Sequence, residues 1–153
     1  MTVKLSTGAR NALAGATGFG ATFEAGVLFV YSGPQPLSAD NAPSGTLLGI
    51  VTRDGGTFAF GSPENGLSFG TPASGTVAKK AADNWKFSGI ARGTAGWFRL
   101  MGNASDGLGQ SATAPRMDGS VGVSGADLNL SNIAVEVGAP HTIDVFQFTI
   151  PAQ

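Results

Sequence analysis

Cysteine is absent from these 153 residues. That excludes disulfide staples and thiolate metal sites, and it leaves the redox compartment unreadable. Charge is also scarce: charged side chains make up 12% of the chain and sum to a net −1, about half the usual share. The nine Lys and Arg residues are scattered, without the basic stripe that nucleic-acid binding leaves. His141 is the single histidine, so no cluster of transition-metal ligands can form from His and Cys. No apolar run reaches the ~18 residues needed to span a bilayer as a helix. Met1–Leu5 carries one Lys followed by Leu-Ser-Thr-Gly in place of an apolar core. No signal peptide is expected, and synthesis in a cytosol is.

What the chain has in abundance is glycine, 24 residues of it, within a composition that is 42% hydrophobic. With so few charges, the surface must be built largely from Gly, Ala, Ser, Thr and Asn. Two readings stand: a neutral extracellular domain, or a surface covered by neighbours in an assembly. The length suits one domain over residues 1–153, large enough to bury roughly 68–70% of its unfolded-chain surface.

The centre of the chain is Asn84–Met101, which holds both tryptophans, Trp85 and Trp97. Val27–Tyr31 is β-branched and aromatic without alternation, which predicts a central strand buried on both faces, or on one face and an interface. Thr46–Thr52, Gly75–Lys80, Trp85–Ile90 and Trp97–Met101 read as further strands. Met117–Ser124 and Asp127–Ser131 read as a hairpin through a Gly125-Ala126 turn. Thr57–Phe60 and Leu67–Phe69 read as a smaller, Phe-lined hairpin. In Ile143–Ile150 the apolar phase changes, so a bulge lies near Val145 or both faces are covered. The N-terminal 1–20 holds the one expected helix, capped by Ser6 or Thr7 and ended by Gly15 and Gly18, with Leu5, Ala9 and Leu13 on one face. Gly102–Pro115 is polar and aperiodic, a loop that is either disordered or an arm that orders on a neighbour. The pattern predicts a mainly β chain, an antiparallel β-sandwich or jelly-roll-like domain with one short N-terminal helix.

Catalytic equipment is hard to find. His141 beside Pro140 reads as a turn residue. Asp144 is a conceivable partner, but no nucleophile elbow completes a triad. Asp106, Asp118, Asp127 and Asp144 lie far apart and match no calcium loop. Paired carboxylates for glycoside hydrolysis would have to come from Glu24, Glu64, Glu136 and the aspartates. Gly15-x-x-Gly-x-Gly20 follows a helix, not a strand, so it is no phosphate loop. Arg92 and Arg99 bracket Trp97, either as an interface anchor or as guanidinium stacking within the fold.

Several blocks together resemble small structural proteins encoded by tailed phages and prophages. They are Leu5-Ser-Thr-Gly-Ala-Arg-Asn-Ala-Leu13, Tyr31-Ser-Gly-Pro-Gln-Pro36, Gly45-Thr-Leu-Leu-Gly49, Trp85…Gly89…Thr94-Ala-Gly-Trp-Phe-Arg99, Met117-Asp-Gly-Ser120 and Gly125-Ala-Asp-Leu-Asn-Leu-Ser131. The resemblance covers nearly the whole chain. It implies a virion component assembled in bacterial cytoplasm, without enzymatic activity, cofactor or metal. It carries over no catalytic residues. The leading expectation is a capsid decoration, or cement, protein that binds the major capsid protein, plausibly as a homotrimer, with no contact to nucleic acid or membrane. A tail, neck or baseplate component is the alternative. A glycan-binding adhesion module, with Tyr31, Trp85 and Trp97 as stacking platforms, is a second. The expected contact residues are Leu5, Leu13, Phe58, Phe60, Phe69, Arg92, Trp97 and Arg99. They lie in or beside the N-terminal segment, the Phe58–Phe69 hairpin and the central Trp97 turn, and the Gly102–Pro115 loop is a further expected contact piece.

Overall fold

The computed structural model describes residues 3–152. In chain order the elements are β1 (Lys4–Leu5), α1 (Thr7–Ala14), α2 (Phe19–Phe23), β2 (Val27–Ser32), β3 (Leu47–Arg53), β4 (Thr76–Ala78), β5 (Trp85–Ser88), β6 (Gly93–Met101), β7 (Arg116–Gly122), β8 (Leu128–Asn129), β9 (Ala134–Val135), β10 (Pro140–Ile143) and β11 (Gln147–Thr149). The domain is mainly β and sandwich-like. A large sheet runs β1-β7-β6-β2-β3-β5-β10, with β8 on β7 and β9 on β6, and a separate ribbon pairs β11 with β4. Every pairing is antiparallel except β7 with β8.

The unalternating Val27–Tyr31 run is explained by two cores on opposite sides of β2. Leu28 and Val30 enter the main core with Trp85, Phe98, Leu100 and Met117. Val27, Phe29 and Tyr31 face the other way, into a second cluster with Trp97 and Met101. β6 divides its side chains in the same manner, because it lies beside β2 with Leu28 opposite Leu100 and Tyr31 opposite Trp97. A strand with both faces covered has no need of polar alternation.

The small ribbon is the second layer over the main core, seated through rings. Phe19 of α2 stacks on Phe148 at 4.4 Å between centroids, and Phe69 meets Trp85 edge-on at 5.4 Å. The phase change in Ile143–Ile150 is a change of sheet. Ile143 ends β10 on the large sheet, Phe146 is buried between the layers, and Phe148 joins the ribbon while Val145 stays 69% exposed.

Ser6 caps α1 as expected, with its Oγ accepting from the Ala9 N–H at 3.0 Å. The same Oγ accepts from the Arg116 N–H at 2.8 Å and donates to the Ala114 carbonyl at 2.8 Å. One buried hydroxyl thus ties the helix start to the end of the loop before β7. Ser6→Ala is expected to lower stability by about 1–3 kcal/mol, since it removes a cap and leaves a buried N–H unpaired. A urea midpoint shift at unchanged slope will measure it.

Four expectations need correction. The helical segment is not one helix: Leu5 pairs with Met117 as strand, α1 stops at Gly15, and α2 starts after Gly18. Residues 57–69 form no hairpin. Leu67 bridges Gly26 and Phe69 bridges Lys79, so the second half pairs with two other segments and not with residues 57–60. The Gly125-Ala126 turn does not join an antiparallel pair, because the chain loops over and β8 runs parallel to β7. His141 lies in edge strand β10 opposite Phe87, not in a turn.

Candidate functional site

The second cluster is roofed by two long loops, residues 33–46 and 102–115, and charged residues hold them. Strand register puts Arg99 of β6 directly opposite Asp118 of β7, and both side chains are fully buried. Arg99 Nε donates to Asp118 Oδ1 and Nη2 to Oδ2, each at 2.7 Å, while Nη1 donates to the Asn41 carbonyl at 2.9 Å. The guanidinium carbon lies 5.5 Å from the Trp97 ring centre. Trp97 stacks on Tyr31 at 4.5 Å, and its Nε1 donates to the Ser44 carbonyl at 3.2 Å.

Arg116 makes the second fork. Its Nε and Nη2 donate to Asp106 at 2.7 and 2.6 Å, and Nη2 also reaches the Gly109 carbonyl at 2.8 Å. Its Nη1 lies 3.4 Å from the carbonyls of Ala39 and Asn41. Asp40, in the first loop, accepts from the backbone N–H and hydroxyl of Thr7, both at 2.7 Å. The two loops and the start of α1 are therefore clamped to β6 and β7 from beneath. Bidentate Arg–carboxylate geometry is the strongest form such a contact takes.

Burial pushes the Asp118 carboxyl above its usual range, against the hydrogen bonds and charge of Arg99. For Asp106, burial also works upward, but hydrogen bonds from Arg116 and the Leu108 N–H outweigh it and hold the group below its usual range. The Thr7 hydroxyl holds Asp40 low in the same way. Burial pushes the Tyr31 hydroxyl up to about 12. What the layer can do is fix the shape of the surface above it.

The expected contact residues separate into three sets. Trp97 and Arg99 are fully buried in the chain's own fold and cannot meet a partner; burial assigns them to internal stacking. Leu5, Leu13 and Phe69 are half-buried against the main core, and Phe58 and Phe60 against the second. Arg92 is exposed, 3.2 Å from Glu136, which is also exposed, a pair worth little to stability. The Phe58–Phe69 set is thus divided between two cores. The Gly102–Pro115 loop is ordered on its own sheet, through Asp106 and Arg116. Tyr31, Trp85 and Trp97 are 4%, 0% and 0% exposed, so none presents a face to a sugar.

Sequence reading missed the Arg116–Asp106 and Arg99–Asp118 pairing. An Arg ending a polar loop that contains an Asp was the available signal. It also missed Leu37, an apolar side chain 92% exposed on the clamped first loop.

His141 stacks on Phe87 at 4.8 Å, with its Nε2 buried and without a partner among the described residues. Burial lowers its pKa from the ordinary value near 6.5. The folded state then binds fewer protons than the unfolded one, so stability is full above pH 6.5 and declines as pH falls through that value toward the lower folded pKa. Thermal melts between pH 8 and 5 should show this decline, and His141→Phe should flatten it.

Among the described residues no group of three His, Cys, Asp or Glu side chains could hold a metal, and no helix is long and apolar enough to cross a membrane. Comparison with protein-family models, curated proteins and solved structures found no match. Fold and layer together define a mainly β, sandwich-like domain whose long surface loops are braced by buried ion pairs.

Proposed function

We propose that the chain is a non-enzymatic structural protein of a phage virion, acting as a capsid decoration protein that clamps the major capsid protein. The observation that carries this reading is the clamped double loop. Association normally costs the ordering of surface segments, about 0.5–1.5 kcal/mol for each immobilised flexible side chain. Loops held in advance by Arg99 and Arg116 avoid much of that cost.

The low-charge surface supports the same reading. It carries Leu37 at the first loop, and a partner loses little solvation in covering Gly, Ala and Ser. Burying apolar area contributes about 25 cal/mol per Å² before association costs, so the clamp adds cohesion to a shell under internal pressure. The contact face consists of the outer sides of the two loops. The phage-protein resemblance supplies the particle.

A density map of the intact particle tests this directly. The expected result is this domain on the outer shell, in the high copy number of a shell component, with the 33–46 and 102–115 loops against capsid subunits. Density confined to the tail, or a copy number of only a few per particle by quantitative gel staining, would reassign the chain to the tail or neck.

A further inference from the structure

The large sheet and the small ribbon do not close on each other. Between Val3, Ala126, Asp127 and Asn129 on one side and residues 144–149 on the other lies a slot of about 650 Å³, with Met117 and Phe146 among its lining. We propose that this slot captures an extended strand from another polypeptide chain, one in which apolar residues alternate with basic ones.

Backbone pairing shows why a strand is the occupant. The Lys79 N–H donates to the Phe146 carbonyl and the Ile150 N–H to the Gly75 carbonyl, each at 2.9 Å. Residues 146, 148 and 150 therefore direct their backbone groups at β4. Those of Gln147 and Thr149, in the non-bonded pairs with Ala78 and Thr76, face the opposite way, and no hydrogen bond to them is made among the described residues. Outward groups at every second residue of β11, over about 10 Å of wall, form the template that strand addition uses.

Two further observations select the occupant. Folded proteins blunt an open edge with Lys, Pro or a bulge. Here the outward-facing positions of β11 are Gln147 and Thr149, and the neighbouring Val145 is 69% exposed. The slot's charged lining is Asp127 and Asp144, with no Lys or Arg among its described lining residues. Apolar side chains on one face of the incoming strand meet Met117 and Phe148, and a basic one on the other face meets Asp144, because Asp127 already accepts from the Ser120 N–H and hydroxyl. The inference concerns this edge alone and stands whether or not the chain belongs to a virion.

The test uses the full chain and a blocked nine-residue peptide in which valine alternates with lysine and threonine. In an NMR titration, the Gln147 and Thr149 amides should shift saturably, and their hydrogen exchange should slow at least tenfold. A peptide with glutamate in place of lysine should bind at least fivefold more weakly, and Asp144→Lys should reverse that order. Gln147→Pro removes an outward N–H without taking a bond from the β4 pairing, and should abolish the shifts while the melting profile is kept. If that variant unfolds, the Asp144→Lys reversal still decides. Absence of saturation at millimolar peptide would overturn the proposal. So would shifts centred on a separate groove lined by Phe19, Val77 and Ile150, or concentration-dependent shifts at these amides without peptide, which would assign the edge to a second copy of the chain.

Discussion

Asp118→Ala is expected to lower the free energy of unfolding by about 3–5 kcal/mol, the usual result of breaking a buried ion pair from one side. Its partner Arg99 is wholly enclosed and makes both short bonds to that carboxylate. Alanine leaves the guanidinium buried without a counter-charge, with only the Asn41 carbonyl and the Trp97 ring for company. For a domain whose total stability is of order 5–15 kcal/mol, that is a large fraction. The double variant Arg99→Met with Asp118→Leu should recover most of the loss, because no stranded charge remains. Urea unfolding of the two single variants and the double variant closes the cycle. A single-variant loss below about 1 kcal/mol would mean that water reaches the pair.

Trp97→Ala is the other large effect, also about 3–5 kcal/mol by the cost of emptying an aromatic site in a core. The ring is fully buried, stacks on Tyr31 and donates to the Ser44 carbonyl. Its loss opens a cavity in the second cluster and frees one end of the first loop. Amide exchange should quicken over residues 33–46 more than over β5 and β10, which lie on the far side of β3. Uniform quickening over the whole sheet would instead mean that the two cores unfold as one.

The composition and the strands were legible because local chemistry decides them. Val27–Tyr31 could be read as covered on both faces from its lack of alternation, and Ser6 as a cap from its place before an apolar-periodic stretch. Pairing between distant segments was not legible. Nothing in Leu67–Phe69 says that Leu67 meets Gly26 while Phe69 meets Lys79. The register shift at Val145 announced an irregularity, but a bulge and a passage from one sheet to another leave the same trace in one strand. The braced loops were hidden for a different reason. Gly102–Pro115 has no periodicity, and its order comes from Arg116 just beyond it and from β6 beneath it. Arg99 beside Trp97 was visible as a stacking pair; Asp118 as its counter-ion emerges only from the β6–β7 register.

The bracing has a property that bears on how such a surface can change over time. The arginines hold the first loop by main-chain oxygens, those of Ala39 and Asn41, and the second by the Gly109 carbonyl as well as the Asp106 carboxylate; every amino acid supplies a main-chain oxygen. Asp40, Asn103, Asp106 and Ser111 are among the side chains that tie these loops down, and Leu37, 92% exposed, is not. Leu37 can be exchanged for almost anything without disturbing its own support. The scaffold thus separates holding from displaying, and a lineage could rewrite what it shows its surroundings while the machinery underneath stays as it is.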